Sequence, residues 1–180
     1  MATEKQNKLI EDLLKDLKST DPKILTSALK RVRSKGTEQV VPALISLFEN
    51  CETASVVAEA KNIILELKNT GSIPYLLSEL ESNENSATRE LILNSFWHTG
   101  FNAHEHLDKF VAAATKGTYM EAFEAFTIID NLDGPFEEEP ILEAQLNLKG
   151  YFSIAKENDE KHVILKNIEK LLAEYELTIQ

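Results

Sequence analysis

Three histidines near the middle of the chain are the side chains best suited to bind a metal ion. His98, His104 and His106 lie within nine residues, with Glu105 and Asp108 beside them. Imidazole and carboxylate groups are common ligands of zinc and iron in proteins. Two ligands on a helix share a face when they are three or four residues apart, but His104 and His106 are two apart. We therefore expect no metal and no cofactor, and we interpret the histidines as surface or capping residues.

The other reactive side chains lack the neighbours that catalysis requires. Cys51 is the single cysteine, and neither a general base nor an oxyanion site adjoins it in the sequence. The glutamates at 137–139 precede a predicted helix, where the positive end of the helix dipole attracts acidic side chains. The sequence has no glycine-rich phosphate loop, no paired-cysteine metal motif and no nucleophile elbow. We therefore predict no catalytic residue and expect that the chain is not an enzyme.

The chain is acidic, and its charge is unevenly distributed. The net charge is −11, and residues 1–50 hold nine Lys and Arg against seven Asp and Glu, whereas residues 51–180 hold ten against twenty-three. An acidic surface repels phosphate backbones, so the charge disfavours nucleic acid as a partner. Solubility alone, or a basic partner, would account for the acidic part of the chain.

The sequence also indicates a compartment. A lone cysteine cannot form an intramolecular disulfide, which suits a reducing environment. No apolar run approaches the roughly 20 residues of a membrane-spanning helix, and the first residues are polar and lack the apolar core of a signal peptide. We expect a cytoplasmic protein with no membrane partner.

Apolar positions recur at a fixed interval through the first hundred residues of the chain. Four apolar columns show this repeat: Leu9, Val41 and Ile73; Leu13, Ile45 and Leu77; Ala28, Ala60 and Ile92; Val32, Ile64 and Phe96. A period of about 32 residues, such as these columns have, is typical of stacked helical hairpins. Within each segment the apolar residues follow the helical spacing, and after residue 100 the period becomes slightly longer. The sequence therefore predicts an all-α chain of ten helices in five antiparallel hairpins.

We expect one domain over residues 1–180, with four helical pairs in 1–132 and a final pair in 133–180 that caps the stack. Such caps need polar outer faces, and Lys161 is among the charged residues expected to face outward from the last helix. Polar residues and glycines mark the expected helix ends and bends: Thr20 or Asp21 before the second helix, Gly36 after it, Gly150 within the ninth, and Asn158 or Asp159 before the last.

The columns resemble those of HEAT repeats. In that family a proline often sits in the first helix of each pair and is followed by spaced leucines. Pro42 and Pro74 occupy equivalent positions here, Leu44 matches Leu76, and the segment 83–85 fits the polar turn between the two helices. The resemblance covers roughly residues 4–132 and extends more loosely to the rest of the chain.

The resemblance implies a right-handed superhelix whose second helices line a concave face. HEAT repeats bind many different partners, so it also implies a scaffold that binds a protein or peptide along that face. Arg89 occupies the arginine column of the family, whereas Val57 and Leu25 hold the equivalent places in the two earlier repeats. Polar positions of the second helices are the predicted partner-binding residues: Arg33, Lys61, Arg89, Asn94, Glu121 and Glu124.

The HEAT-like families also include enzymes. Deoxyhypusine hydroxylases use repeated His-Glu pairs for a di-iron centre, but this chain has only the pair His104–Glu105, so we do not transfer that activity. Alkylpurine DNA glycosylases use a basic track with aromatic residues, which makes a DNA-repair protein with Arg89 and Trp97 the alternative function. The acidic charge disfavours it. We instead expect Trp97 in the core, and Phe123 and Phe126 are also spaced as core residues.

Overall fold

The computed structural model describes residues 2–35, 37–155 and 158–179, with side chains from Asn7 onward. Within these ranges the chain is all-helical, with ten α-helices, three 3₁₀ turns and no strand. The α-helices are α1 (Ala2–Asp16), α2 (Pro22–Lys35), α3 (Val41–Asn50), α4 (Ala54–Leu65), α5 (Ile73–Ser82), α6 (Ser86–Thr99), α7 (Leu107–Lys116), α8 (Tyr119–Asp130), α9 (Glu138–Ile154) and α10 (His162–Glu176). The predicted helical class and number of helices are confirmed for the described residues.

The starts of the helices follow the period of the sequence. The helices α2, α4, α6 and α8 begin at almost equal intervals along the chain, with Pro22, Ala54, Ser86 and Tyr119 as their first residues. A 3₁₀ turn precedes each of α3, α5 and α7. Pro42 is the second residue of α3 and Pro74 the second residue of α5. Because proline lacks a backbone N–H, it is accommodated in the first turn of a helix.

The chain forms two compact units, Met1–Glu79 and Leu80–Gln180, whose boundary falls within α5. In the first unit α4 packs against α2 and α3, and α1 packs against α2. In the second unit α6, α8 and α10 form one layer, and α7 and α9 form the other. The division of the chain into one capped domain stays a prediction.

One of the expected helix caps is present in the structure. The carboxylate of Asp21 accepts a hydrogen bond from the Lys23 amide at the start of α2, and Gly100 ends α6 with a left-handed φ of 66°. Helix α9 continues through Gly150, and α10 begins at His162, three residues after the expected cap Asp159. The stop predicted at Gly36 lies outside the described residues. None of the helices described is long and apolar enough to cross a lipid bilayer.

Two aromatic residues expected in the core are instead half-exposed, Trp97 at 52% and Phe123 at 46%. Successive residues of a helix point about 100° apart, so Phe96 and Trp97 cannot both face inward. Phe96 takes the core position, with its ring centre 5.0 Å from that of Phe110 in an edge-to-face contact. The buried side of α8 is formed partly by small residues such as Ala122, which leaves Phe123 on the open side.

Candidate binding surface

Helices α6 and α8 lie side by side and run in the same direction. Arg89 Nε donates to Glu121 Oε1 over 2.9 Å, and further along both helices Asn94 Nδ2 donates to Glu124 Oε1 over 3.3 Å. Because the residue numbers rise together in the two contacts, the helices are parallel. The structure thus brings together four of the six predicted partner-binding residues, as two pairs.

The first pair, Arg89 and Glu121, is a largely buried contact between the two helices. The Glu121 side chain is 2% exposed and that of Arg89 is 15% exposed. A second guanidinium nitrogen, Arg89 Nη1, donates to the Leu80 carbonyl over 2.9 Å. The other carboxylate oxygen, Glu121 Oε2, accepts from the Thr118 amide over 2.6 Å, while the Thr118 hydroxyl accepts from the Glu121 amide in return. This reciprocal capping box satisfies two amides at the start of α8.

Gly117 makes room for this carboxylate. A Cβ atom at residue 117 would lie 1.8 Å from Glu121 Oε2 and 2.7 Å from the Ala113 carbonyl oxygen. We expect Gly117→Ala to displace Glu121 and to lower the free energy of unfolding by about 1–2 kcal/mol, the range for loss of a helix cap. Urea denaturation followed by circular dichroism measures this change.

Gly150→Ala is the matched control for that substitution. Gly150 lies inside α9, and a Cβ atom there would meet nothing within 4 Å. Alanine favours a helix over glycine by about 1 kcal/mol, so this variant should be at least as stable as the parent. Equal effects of the two alanines would contradict the role assigned to Gly117.

A group of exposed apolar and partly exposed polar side chains lies on the open side of the same two helices. We name it the α6–α8 face, and it consists of Glu90, Asn94, Trp97, Met120, Phe123, Glu124 and Thr127. Met120 and Phe123 are each 46% exposed. The Trp97 indole and the His98 ring are almost perpendicular, with their centres 4.8 Å apart. Single exposed apolar residues are ordinary on protein surfaces, whereas a group on adjacent helices is typical of an interaction site.

Acidic residues outnumber basic ones in the second unit, which carries this face. Arg89 is the only Lys or Arg in α6 and α8, and its guanidinium is directed into the internal pair. The second unit holds eight Lys and Arg against nineteen Asp and Glu, and the first unit holds eleven of each. The second unit therefore carries the whole net charge of −11.

The other two predicted partner-binding residues lie in the first unit. The Arg33 guanidinium bridges α2 and α4, with Nε 3.1 Å from Glu59 Oε1 and Nη1 2.5 Å from Glu66 Oε2. Lys61 is exposed on α4. Both therefore belong to the first compact unit, whereas the four residues of α6 and α8 belong to the second.

The histidines that suggested a metal occupy separate positions. His98 lies exposed near the end of α6, whereas His104 and His106 belong to the 3₁₀ turn before α7. The His104 ring packs edge-on against Phe136. In the described part of the chain no three His, Cys, Asp or Glu side chains are grouped so as to hold a metal ion.

The repeat columns of the sequence contain a signal for the exposure of Trp97. Trp97 lies two full periods after Arg33 and so occupies the same column. Arg33 was predicted to be exposed, and the adjacent column of Val32, Ile64 and Phe96 is the buried one. The register of the repeat therefore places Trp97 on the open side of its helix.

Comparison of the chain with models of protein families, with curated proteins and with solved structures gives no match. Its family therefore stays a prediction from the repeat columns.

Proposed function

We propose that the protein is a non-enzymatic interaction module that binds a protein or peptide across the α6–α8 face. The observation that supports this best is the group of half-exposed side chains Trp97, Met120 and Phe123 on two adjacent helices. Tryptophan is enriched among the residues that dominate binding energy at interfaces. Methionine adapts its shape to different partners. Asn94 and Glu124, which are hydrogen-bonded to each other, add polar groups to the face.

The proposal includes a HEAT-like architecture, a right-handed superhelix with its second helices on the concave side. Its support is the recurrence of helix starts at almost equal intervals from α2 to α8. The parallel packing of α6 and α8, second helices of successive hairpins, agrees with such a stack. A cytoplasmic location stays part of the same prediction.

A protein partner accounts for the face better than DNA does. The DNA-repair alternative requires a cation at Arg89, but Glu121 and the Leu80 carbonyl already engage that guanidinium. The excess of acidic residues in the second unit also opposes a phosphate backbone.

Quantitative affinity capture from extracts of the native host tests this function. The double variant Trp97→Ala, Phe123→Ala should lose specific partners, since anchors of this kind cost about 2 kcal/mol or more each when truncated. The matched control is Leu142→Ala, Leu146→Ala, which removes two exposed apolar side chains from α9. Partners retained by the control and lost by the first variant support the face, and identical recovery by both variants contradicts it.

A further inference from the structure

A small cleft opens in the second unit at the carboxyl ends of α6 and α8. Its volume is about 210 Å³, and its lining includes Trp97, Phe101, Asn102, Thr127 and Asp133. This is below the roughly 300–1,000 Å³ of pockets for drug-sized ligands, so the cleft suits a single side chain. Trp97 belongs both to the cleft and to the α6–α8 face, which makes the two continuous.

One wall of the cleft is fixed by a reciprocal contact. Asn102 Nδ2 donates to the Asp133 carbonyl over 2.7 Å, and the Asp133 amide donates to Asn102 Oδ1 over 3.2 Å. These bonds hold the backbone of Asp133 while its side chain remains exposed. Among the described residues the Asp133 carboxylate takes part in no ion pair, so it is available to a ligand.

The electrostatic environment of the cleft is negative. Because α6 and α8 are parallel, the negative ends of both helix dipoles meet here. The described residues that line the cleft include no Lys or Arg. Burial, together with the carboxylates of Asp130, Glu174 and Asp133, raises the pKa of the neighbouring Tyr175 phenol. An anionic ligand is therefore opposed and a cationic one is attracted.

We propose that this cleft receives a lysine or arginine side chain of the partner, packed against the Trp97 indole and facing the Asp133 carboxylate. The inference rests on the proposed function and narrows the partner to a basic segment with apolar neighbours. The faces of tryptophan rings attract ammonium and guanidinium groups more strongly than those of other aromatic rings do. The apolar neighbours of that cation contact Met120 and Phe123.

Trp97 is the only tryptophan of the chain, so its fluorescence reports occupancy of the cleft directly. The probe is a short amphipathic peptide of leucine and arginine, compared with the same peptide carrying glutamate in place of arginine. The basic peptide should give a saturable change in Trp97 emission that weakens as salt is added, since salt screens the charges. The acidic peptide should give none.

Two variants of equal charge change locate the site. Asp133→Asn should weaken binding of the basic peptide about two- to fivefold, the effect of removing one partly exposed ion pair at the upper end of its range. Glu143→Gln, at an exposed position of α9, should leave the affinity unchanged. Equal weakening by both variants overturns the inference, because only net charge would then matter.

The remaining outcomes separate this inference from the proposed function. If both peptides bind equally and Phe123→Ala weakens both, the face binds peptides but the cationic cleft is overturned. If neither peptide changes Trp97 emission, the cationic cleft is also overturned, and the capture experiment alone decides the function of the face.

Discussion

Replacing Glu121 with alanine should lower the free energy of unfolding by about 3–4 kcal/mol, near the lower part of the range for breaking a buried ion pair. The substitution leaves the guanidinium of Arg89 in a side chain that is only 15% exposed. It also removes the acceptor of the Thr118 amide. Arg89 still donates to the Leu80 carbonyl, so the loss of unfolding free energy should stay below the upper end of that range. Urea denaturation of the full chain measures the change.

Glu124→Ala is the matched control for Glu121→Ala, because it removes the same side chain one turn further along α8. Glu124 is partly exposed and accepts a single hydrogen bond, from Asn94. Its removal should cost less than about 1 kcal/mol. A loss below that same level for Glu121→Ala would show that the buried pair does not hold α6 and α8 together.

The double variant Arg89→Met, Glu121→Met distinguishes the cost of an unpaired buried charge from the cost of the lost helix cap. Removing both charges leaves no unpaired ion, so the protein should be about 1–2 kcal/mol more stable than with Glu121→Ala alone. It should remain below the parent protein, because the Thr118 amide still lacks its acceptor. If the double variant is less stable than Glu121→Ala, the unpaired charge of Arg89 is not the main reason why Glu121→Ala lowers the free energy of unfolding.

The repeat columns predicted the helices well because buried positions recur with the period. The starts of α2, α4 and α6 at Pro22, Ala54 and Ser86 follow directly from those columns. The capping box of α8 can also be identified from the sequence, since Thr118 lies three residues before Glu121 in the pattern that defines this cap. Both signals are local, so no knowledge of tertiary contacts is needed to find them.

The ion pair and the exposed face could be identified only from the three-dimensional structure. Arg89 and Glu121 lie in different helices, far apart in the sequence, and nothing local shows that these two side chains meet. The choice between Phe96 and Trp97 for the core likewise depends on which side of α6 meets its neighbours. The sequence contained the repeat register that decides it, but the general tendency of tryptophan to be buried outweighed that register in the prediction.

Replacing Lys161 with methionine should lower the free energy of unfolding by about 1.5–3 kcal/mol, the range for hydrogen bonds to a charged group. The sequence indicated an outward-facing residue, but Lys161 Nζ instead donates to the carbonyls of Ala114, Thr115 and Gly117 over 3.3, 2.9 and 2.7 Å. Its charge thus complements the negative end of α7. Burial lowers the pKa of this ammonium, and that desolvation offsets part of the gain from three bonds.

Methionine keeps most of the length and the apolar stem of lysine, so the substitution measures the contribution of the ammonium group to stability. Lys170→Met, at an exposed position of α10, should change the free energy by no more than about 0.5 kcal/mol. Amide hydrogen exchange should show faster opening at the end of α7 in Lys161→Met, since unsatisfied carbonyls loosen the last turn of a helix. If both lysine variants unfold at the same urea concentration as the parent, water replaces the ammonium without loss and Lys161 does not cap α7. A loss confined to Lys161→Met would instead show that a residue of the last hairpin stabilises a helix from a much earlier part of the chain.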